Sequence, residues 1–360
     1  MTHLRQGGAQ ALAIDRVRAA LDTQPRTPLA TLPTPITEAT RLRDALGGAR
    51  SCPRILLKRD DLTSLGLGGN KARKLEYLVA DAREQGATTL ITTGAVQSNH
   101  ARMTAAAAAV AGMRCVLVLT TTTDHPAMAG NLLLDRLYGA SIRLVPSIDP
   151  MLAVGQDEAV VADVVAEETS AGRVPYVIPV GGSSGIGVLG YVGGTAELVE
   201  QLSQADEQAS RLYFASGSRG TQAGLTLGAR LCEASYRVYG VAVSAGEPEK
   251  IERAKRIANA AATRMGLPER LDLPDLVTDQ RYIGEGYGIP TAEALEAIEL
   301  LAKTEAILLD PCYTSKAMAA LIDHVRRGSL SPRDTVVFLH TGGMPALFTS
   351  GFADAFRAKL

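Results

Sequence analysis

Short apolar runs alternate with longer stretches at helical spacing along most of this chain. Residues 89–93 (TLITT), 115–119 (CVLVL), 176–180 (YVIPV), 212–215 (LYFA), 239–243 (YGVAV), 306–309 (AILL) and 336–340 (VVFLH) are short and almost free of charge. Continuous apolar character fits strands covered on both faces, and their length favours strand over helix. Between the first two runs lies the Ala-rich stretch 99–111, helical in pattern, which Gly112 stops. Strand, loop, helix and strand in that order predict a parallel α/β protein. The N-terminus reads differently: Ala13, Ile14, Val17 and Leu21 share one face of a short amphipathic helix, which needs cover from the body or from a second subunit. The stretch 156–168 (QDEAVVADVVAEE) reads as a helix with a solvated acidic face.

Composition narrows the classes. A chain of 360 residues can bury a large core and has room for two domains. With 46% hydrophobic residues, 21% charged residues and a net charge of −1, it reads as globular, with no excess of one sign to favour nucleic acid or a membrane surface. No apolar run is long enough to span a bilayer, and the N-terminus lacks a signal-peptide core. Four cysteines without a C-x-x-C pair and five histidines without ligand spacing predict no metal site and a reducing, cytoplasmic setting. Cys115 falls in an apolar run and is expected in the core. Cys312, beside Tyr313, is expected to be an accessible thiol.

The chemistry gathers where strands hand over to helices, the usual place for ligands in open parallel sheets. After 212–215 comes SGSRGTQAG, with Ser216, Gly217, Ser218, Arg219, Gly220 and Thr221 leading into a helix. Small residues and free N–H groups at a helix start make a cup for a single phosphate, although a tight turn would look the same. Neither the P-loop nor the dinucleotide spacing is present, which argues against a nucleotide. After 89–93 come Gln97, Ser98, Asn99 and His100. An ordinary helix cap needs one such residue, and four in a row suit a substrate carboxylate. Tyr287 sits among glycines in GEGYGIP, Tyr313 and Thr314 follow 306–309, and Thr341 follows 336–340. The stretch GLGGNKARKLEYL places Lys71, Arg73 and Lys74 where a helix begins, a position that prefers acidic residues. A lysine there suggests chemistry, with Arg73 and Lys74 expected to lower its pKa.

A lysine, a one-phosphate cup, a carboxylate site and two tyrosines together suit pyridoxal 5'-phosphate and an amino-acid substrate. KRDDLTSLGLGGNKARKLEYL, TTGAVQSNH, YVIPVGGSSGIGVLGYV, ASGSRGTQAGL, GEGYGIP, LLDPCYTSKAMAALI and FLHTGG jointly resemble the D-cysteine desulfhydrase / 1-aminocyclopropane-1-carboxylate deaminase family, over nearly the whole chain. The resemblance implies a fold-type II pyridoxal-phosphate enzyme, tryptophan synthase β-like, with two open, twisted, mostly parallel sheets flanked by helices. It implies an N-terminal extension (1–25), a large domain in two segments (26–74 and 183–360), a small inserted α/β domain (75–182) and a homodimer.

By the same resemblance Lys71 is the Schiff-base lysine, and Ser98, Tyr287 and Tyr313 are catalytic. Ser216 to Thr221 hold the phosphate, with Asn99, Thr314 and Thr341 around the ring. Gln97, Ser98, Asn99, His100 and the two tyrosines meet the substrate. The deaminases carry glutamate after the second tyrosine, whereas this chain has Thr314, as the desulfhydrases do. The resemblance therefore implies β-elimination, with D-cysteine as substrate. L-cysteate sulfo-lyase, diaminopropionate ammonia-lyase and the cyclopropane deaminase are the alternative enzymes, and an amino-acid-sensing binding protein is the non-enzyme alternative. Arg219 and Ser315 depart from the family pattern, which has small residues and glycine there; Arg219 could reshape the cup or favour an anionic leaving group.

Overall fold

The structure, a computed structural model, describes residues 2–147 and 156–357. Its strands, in chain order, are β1 (Ile36–Glu38), β2 (Arg54–Lys58), β3 (Thr89–Ala95), β4 (Arg114–Thr121), β5 (Ser141–Pro146), β6 (Pro175–Ile178), β7 (Ala209–Ser216), β8 (Arg237–Ala242), β9 (Thr278–Asp279) and β10 (Thr335–Leu339). They form two sheets. One has the order β1-β2-β10-β7-β8-β9 and is parallel except for β1 against β2; the other, β5-β4-β3-β6, is wholly parallel. The smaller sheet comes from one continuous stretch of chain, and the larger sheet from the stretches on either side of it.

Six of the seven apolar runs lie on strands, and the central strands are buried as continuous apolar character requires. Residues 306–309 are the exception. Helix Ala292–Glu305 ends on Ala306 in the left-handed conformation, φ +55°. The following segment is apolar because Leu309 packs in the core, but the Leu308 carbonyl accepts from His340 Nε2 at 2.9 Å and the Asp310 N–H meets Thr314 Oγ1 at 2.8 Å. With its polar groups used by side chains, the segment joins no ladder. Apolar content alone could not distinguish the two outcomes.

The N-terminal helix, Thr2–Asp22, is covered by the body: Ile14, Val17 and Leu21 are buried in the core beneath helix Gly185–Gln204. Helix Gln156–Ser170 packs a valine stripe on the smaller sheet and leaves Glu158, Asp163 and Glu167 exposed. Glu168 departs from this solvated face. It is buried and takes hydrogen bonds from Arg173, Arg114 and Thr89.

Helix Lys71–Glu84 holds the two halves in register. Leu75, Leu78 and Val79 enter the core of the smaller sheet, while its other side meets helix Gly185–Gln204. The approach is close enough that a Cβ at Gly190 would lie 2.2 Å from the Arg73 carbonyl oxygen. Arg73 turns away from Lys71 into a buried network. Its guanidinium donates to Asp60 at 2.8 and 2.9 Å and to Glu197 at 2.8 and 2.9 Å, while Tyr191 donates to Asp60 at 2.7 Å. Burial raises the Asp60 carboxyl, but the Arg73 guanidinium outweighs it and, with Lys58, holds the group down at about 2. Arg73 thus ties the loop after β2 to the helix layer.

Candidate functional site

The C-terminal ends of β3, β7, β8 and β10 open on one cavity of about 200 Å³. Lys71 reaches it from a glycine turn that needs its glycines: Gly68 has φ +71°, and a Cβ there would lie 1.9 Å from the Asp61 carbonyl oxygen. The turn is pinned to the end of β10 by Asn70 N–H donating to the Thr341 carbonyl at 3.1 Å. Asn70 also spans the cavity. Its Oδ1 accepts from Lys71 Nζ at 2.8 Å and its Nδ2 donates to Thr221 Oγ1 at 3.0 Å, so lysine and cup are held by one amide.

Burial and, second, the Arg102 guanidinium pull the Lys71 ammonium down to about 8, against an upward push from Asp310. Arg102, which donates to the carbonyls of Gly66 and Gly68, therefore does what Arg73 and Lys74 were expected to do. Arg73 is spent on its ion pairs. Lys74 lies behind the cup, where Nζ donates to the Gly181 carbonyl at 3.0 Å; burial, then Lys71 and Arg253, hold it well below the usual lysine range.

The cup is formed by 216–221 and the neighbouring chain. Helix Gly220–Leu231 begins there, capped by Arg219 at φ +69°. Ser183 Oγ donates to Ser218 Oγ at 2.8 Å and accepts from Gly220 N–H at 3.2 Å. Cβ atoms would close it: one at Gly181 would meet Ser218 Oγ at 2.0 Å, and one at Gly220 would meet Lys74 Nζ at 2.8 Å. Arg219 spends its η nitrogens on the Ser216 carbonyl and on Glu247. It braces the loop and is not extended toward a substrate.

On the opposite wall, Ser98 caps helix Asn99–Ala111, its Oγ accepting from Ala101 N–H at 3.1 Å, which leaves its proton for an acceptor in the cavity. His100 is neutral: burial first, then the charges of Lys71 and Lys74, hold it well below the usual histidine range. Thr92 Oγ1 gives its proton to the Ile178 carbonyl at 2.8 Å, so His100 Nε2 is the donor to Thr92, also at 2.8 Å, and Nδ1 keeps a free lone pair. Tyr287 and Tyr313 meet hydroxyl to hydroxyl with rings 5.7 Å apart at 75°. Burial raises both well above the usual phenol range and keeps them protonated.

Lys71, Ser98, Asn99, His100, Ser216, Gly217, Ser218, Arg219, Thr221, Tyr287, Tyr313 and Thr341 therefore share one cavity, while three residues expected with them do not line it. Gln97 turns outward, bonding the Ala129 carbonyl and Asn131 N–H. Gly220 contributes its N–H behind the cup. Thr314 gives its hydroxyl to Asp310, whose carboxylate also accepts from the N–H groups of Cys312, Tyr313 and Thr314. Cys312 is buried, not accessible, and burial pushes its thiol up to about 12. The sequence reading missed Asn70, Ser244, Lys250 and Arg253, which also line the site. Lys250 and Arg253 share a face of helix Glu249–Arg264 and carry no local signal that separates them from a solvated surface.

The cavity is lined by four cationic side chains, Lys71, Arg219, Lys250 and Arg253, and by no carboxylate among the described residues. Two helix starts, at Asn99 and Gly220, add positive potential. The arrangement suits a guest carrying a phosphate and a carboxylate.

Comparison with known proteins agrees. Residues 28–342 match the family of pyridoxal-phosphate dependent enzymes. The chain is 40% identical over 329 residues to a D-cysteine desulfhydrase of Serratia proteamaculans (strain 568), covering 90% of this chain and 95% of that protein. It is 41% identical, with the same coverage, to a D-cysteine desulfhydrase of Salmonella choleraesuis (strain SC-B67). A crystal structure of an ACC deaminase homologue superposes with a TM-score of 0.83 at 36% identity, over 96% of this chain and 99% of that one.

Proposed function

The chain belongs to the family of pyridoxal-phosphate dependent enzymes, and on that premise we propose that it is a lyase catalysing β-elimination from D-cysteine, yielding pyruvate, ammonia and hydrogen sulfide. One observation carries the reading: Lys71 and the phosphate cup share a carboxylate-free cavity, bridged by the two ends of the Asn70 amide.

The residues present fit the cofactor. The cup has glycines where a Cβ would fill it, a hydroxyl rim, and the buried Lys74, which no acid neutralises, behind it. When bound, pyridoxal phosphate supplies an aldehyde for amines and an electron sink for the bonds at Cα. Residues 216–221 would hold the phosphate, and Asn99 and Thr341 would flank the ring. Ser98, with the N–H groups opening helix Asn99–Ala111, holds the substrate carboxylate. Lys71 Nζ, whose pKa burial draws down to about 8, takes the Cα proton. The Tyr287 and Tyr313 hydroxyls, kept protonated by burial, donate hydrogen bonds that stabilise the departing sulfur. Thr314 supports elimination of a good leaving group over ring opening, because a hydroxyl committed to Asp310 brings no charge to the ring.

The two-domain division belongs to the same proposal, supported by the partition of strands between two sheets. So do a homodimer and a cytoplasmic location; no helix among the described residues is long and apolar enough to cross a membrane. Purified protein should absorb in the visible and lose that band in Lys71→Ala. It should release sulfide and pyruvate from D-cysteine faster than it turns over L-cysteate, 2,3-diaminopropionate or 1-aminocyclopropane-1-carboxylate, the last giving 2-oxobutanoate. A colourless wild type, or turnover of D-cysteine no faster than of the others, overturns the proposal. Sedimentation at twice the chain mass tests the dimer.

A further inference from the structure

We propose that Lys316 is a positioning residue that anchors the loop carrying Tyr287 to the helix carrying Tyr313, and so sets how the two hydroxyls meet; this rests on assigning those hydroxyls to the departing sulfur. Lys316 lies in the first turn of helix Thr314–Arg326 and is fully buried. Its Nζ donates to two backbone carbonyls, Ile283 at 2.6 Å and Gly286 at 2.8 Å, and to no carboxylate among the described residues. A buried ammonium without an acid is costly, and burial pulls this one below the usual lysine range. A methionine would fill much the same space without that cost, so packing alone does not explain the charge.

The loop accounts for it. Residues 284–290 make no backbone–backbone hydrogen bond among the described residues, Gly284 and Gly288 have φ +68° and +78°, and Gly284, Glu285 and Ile289 are exposed. A segment with no ladder of its own opens easily. Lys316 supplies partners for its carbonyls just ahead of Tyr287. Tyr282 adds a second tie, its hydroxyl donating to Asp323 at 2.5 Å, two turns further along the same helix. Tyr313 caps that helix three residues before Lys316, so a single turn carries one tyrosine and fixes the other. Tyr287 is thereby held hydroxyl to hydroxyl with Tyr313 in the cavity wall.

Nitration of the cofactor-free protein by tetranitromethane, read peptide by peptide by mass spectrometry, tests the anchor without turnover. Burial holds the Tyr287 phenol well above its usual range, so release of the loop in Lys316→Met should speed its nitration about tenfold or more, while Tyr213, fully buried, stays unchanged. In the loaded enzyme Lys316→Met should bind pyridoxal phosphate as wild type does and lose about tenfold or more in kcat/KM for D-cysteine. The same change in a Tyr287→Phe background should cost less than about threefold, because the anchor then has no hydroxyl to position. Lys316→Gln, too short to reach both carbonyls, gives the same reading if the methionine variant folds poorly. Tyr287 nitration within twofold of wild type, or an equal loss of kcat/KM with and without the Tyr287 hydroxyl, overturns the anchor. A wild type that does not turn over D-cysteine overturns instead the function on which it rests, while nitration still decides whether Lys316 holds the loop.

Discussion

Lys71 should behave as an amine two orders of magnitude more available than an ordinary lysine. Burial and Arg102 bring its ammonium from 10.5 to about 8. At pH 7.5 roughly a quarter of the Lys71 side chains are then neutral, against about 0.1% for a lysine titrating at 10.5, an advantage of about two hundredfold. The assay is pulse labelling of cofactor-free protein with an amine-selective reagent across pH 6–11, reading the Lys71 peptide by mass spectrometry beside a free lysine peptide. The Lys71 labelling rate should reach half its plateau near pH 8. The sign of the stability effect follows. The folded pKa lies below the unfolded one, so between about 8 and 10.5 the unfolded chain binds more protons and stability rises with pH; below 8 both states are protonated and the penalty is constant. That penalty is at most about 3.4 kcal/mol, and less to the extent that water enters the cavity. Lys71→Met removes it, so the variant's stability advantage should shrink as pH rises through this window. A labelling midpoint at pH 10 or above, or a difference in stability that is flat across the window, would refute the argument that burial poises this lysine.

Three further outcomes are expected. Gly220→Ala puts a Cβ 2.5 Å from Ser183 Oγ, 2.8 Å from Lys74 Nζ and 3.0 Å from Ser183 Cα, so the melting temperature should fall and cofactor affinity measured by fluorescence titration on the folded variant should drop about tenfold or more; unchanged affinity would count against the cup. Arg73→Met leaves the Asp60 carboxylate buried and without its main partner, and urea unfolding should show a loss of about 3–5 kcal/mol; a loss under 1 kcal/mol would mean the network is not what ties these elements. Ser315 is fully buried with an unpartnered hydroxyl in the first turn of helix Thr314–Arg326, so Ser315→Ala should gain about 1 kcal/mol in the same assay, and a loss would reveal a partner for that hydroxyl.

The site was legible in the sequence where its chemistry sits at strand ends. The 216–221 turn and Thr341 each follow an apolar run directly, Ser98 and Asn99 follow one after a four-residue loop, and a parallel sheet brings its carboxyl ends together. What sequence could not supply was direction. Gln97 and Thr314 have the right types at the right places, yet each side chain is claimed by a neighbour, Gln97 by 129–131 and Thr314 by Asp310. Lys250 and Arg253 were invisible for the opposite reason. They lie on a helix of ordinary amphipathic pattern, and only the packing of that helix against helices Gly185–Gln204 and Gly220–Leu231 makes them part of the cavity. The strands missed were short or carried charge, such as β5 with Arg143, where edge position permits polar residues on a parallel sheet.

Three cations at one helix start looked like a single anomaly, and the structure divides them among three tasks. Arg73 takes two carboxylates into the interior and fixes the helix against its neighbour. Lys74 points to the back of the candidate cup, where burial, Lys71 and Arg253 disfavour its charge, so an anion there would restore the charged form. Lys71 remains on the cavity wall, where the positive end of the helix makes a charged amine unfavourable. The unfavourable placement is therefore the device. With acids in the first turn, the helix would be more stable and its lysine would stay protonated, bound to them and unreactive. Withdrawing every carboxylate except Asp310 from the neighbourhood leaves Lys71 close to the pH at which it can exchange a proton, and Arg73 restores from the buried side the stability that this arrangement gives up.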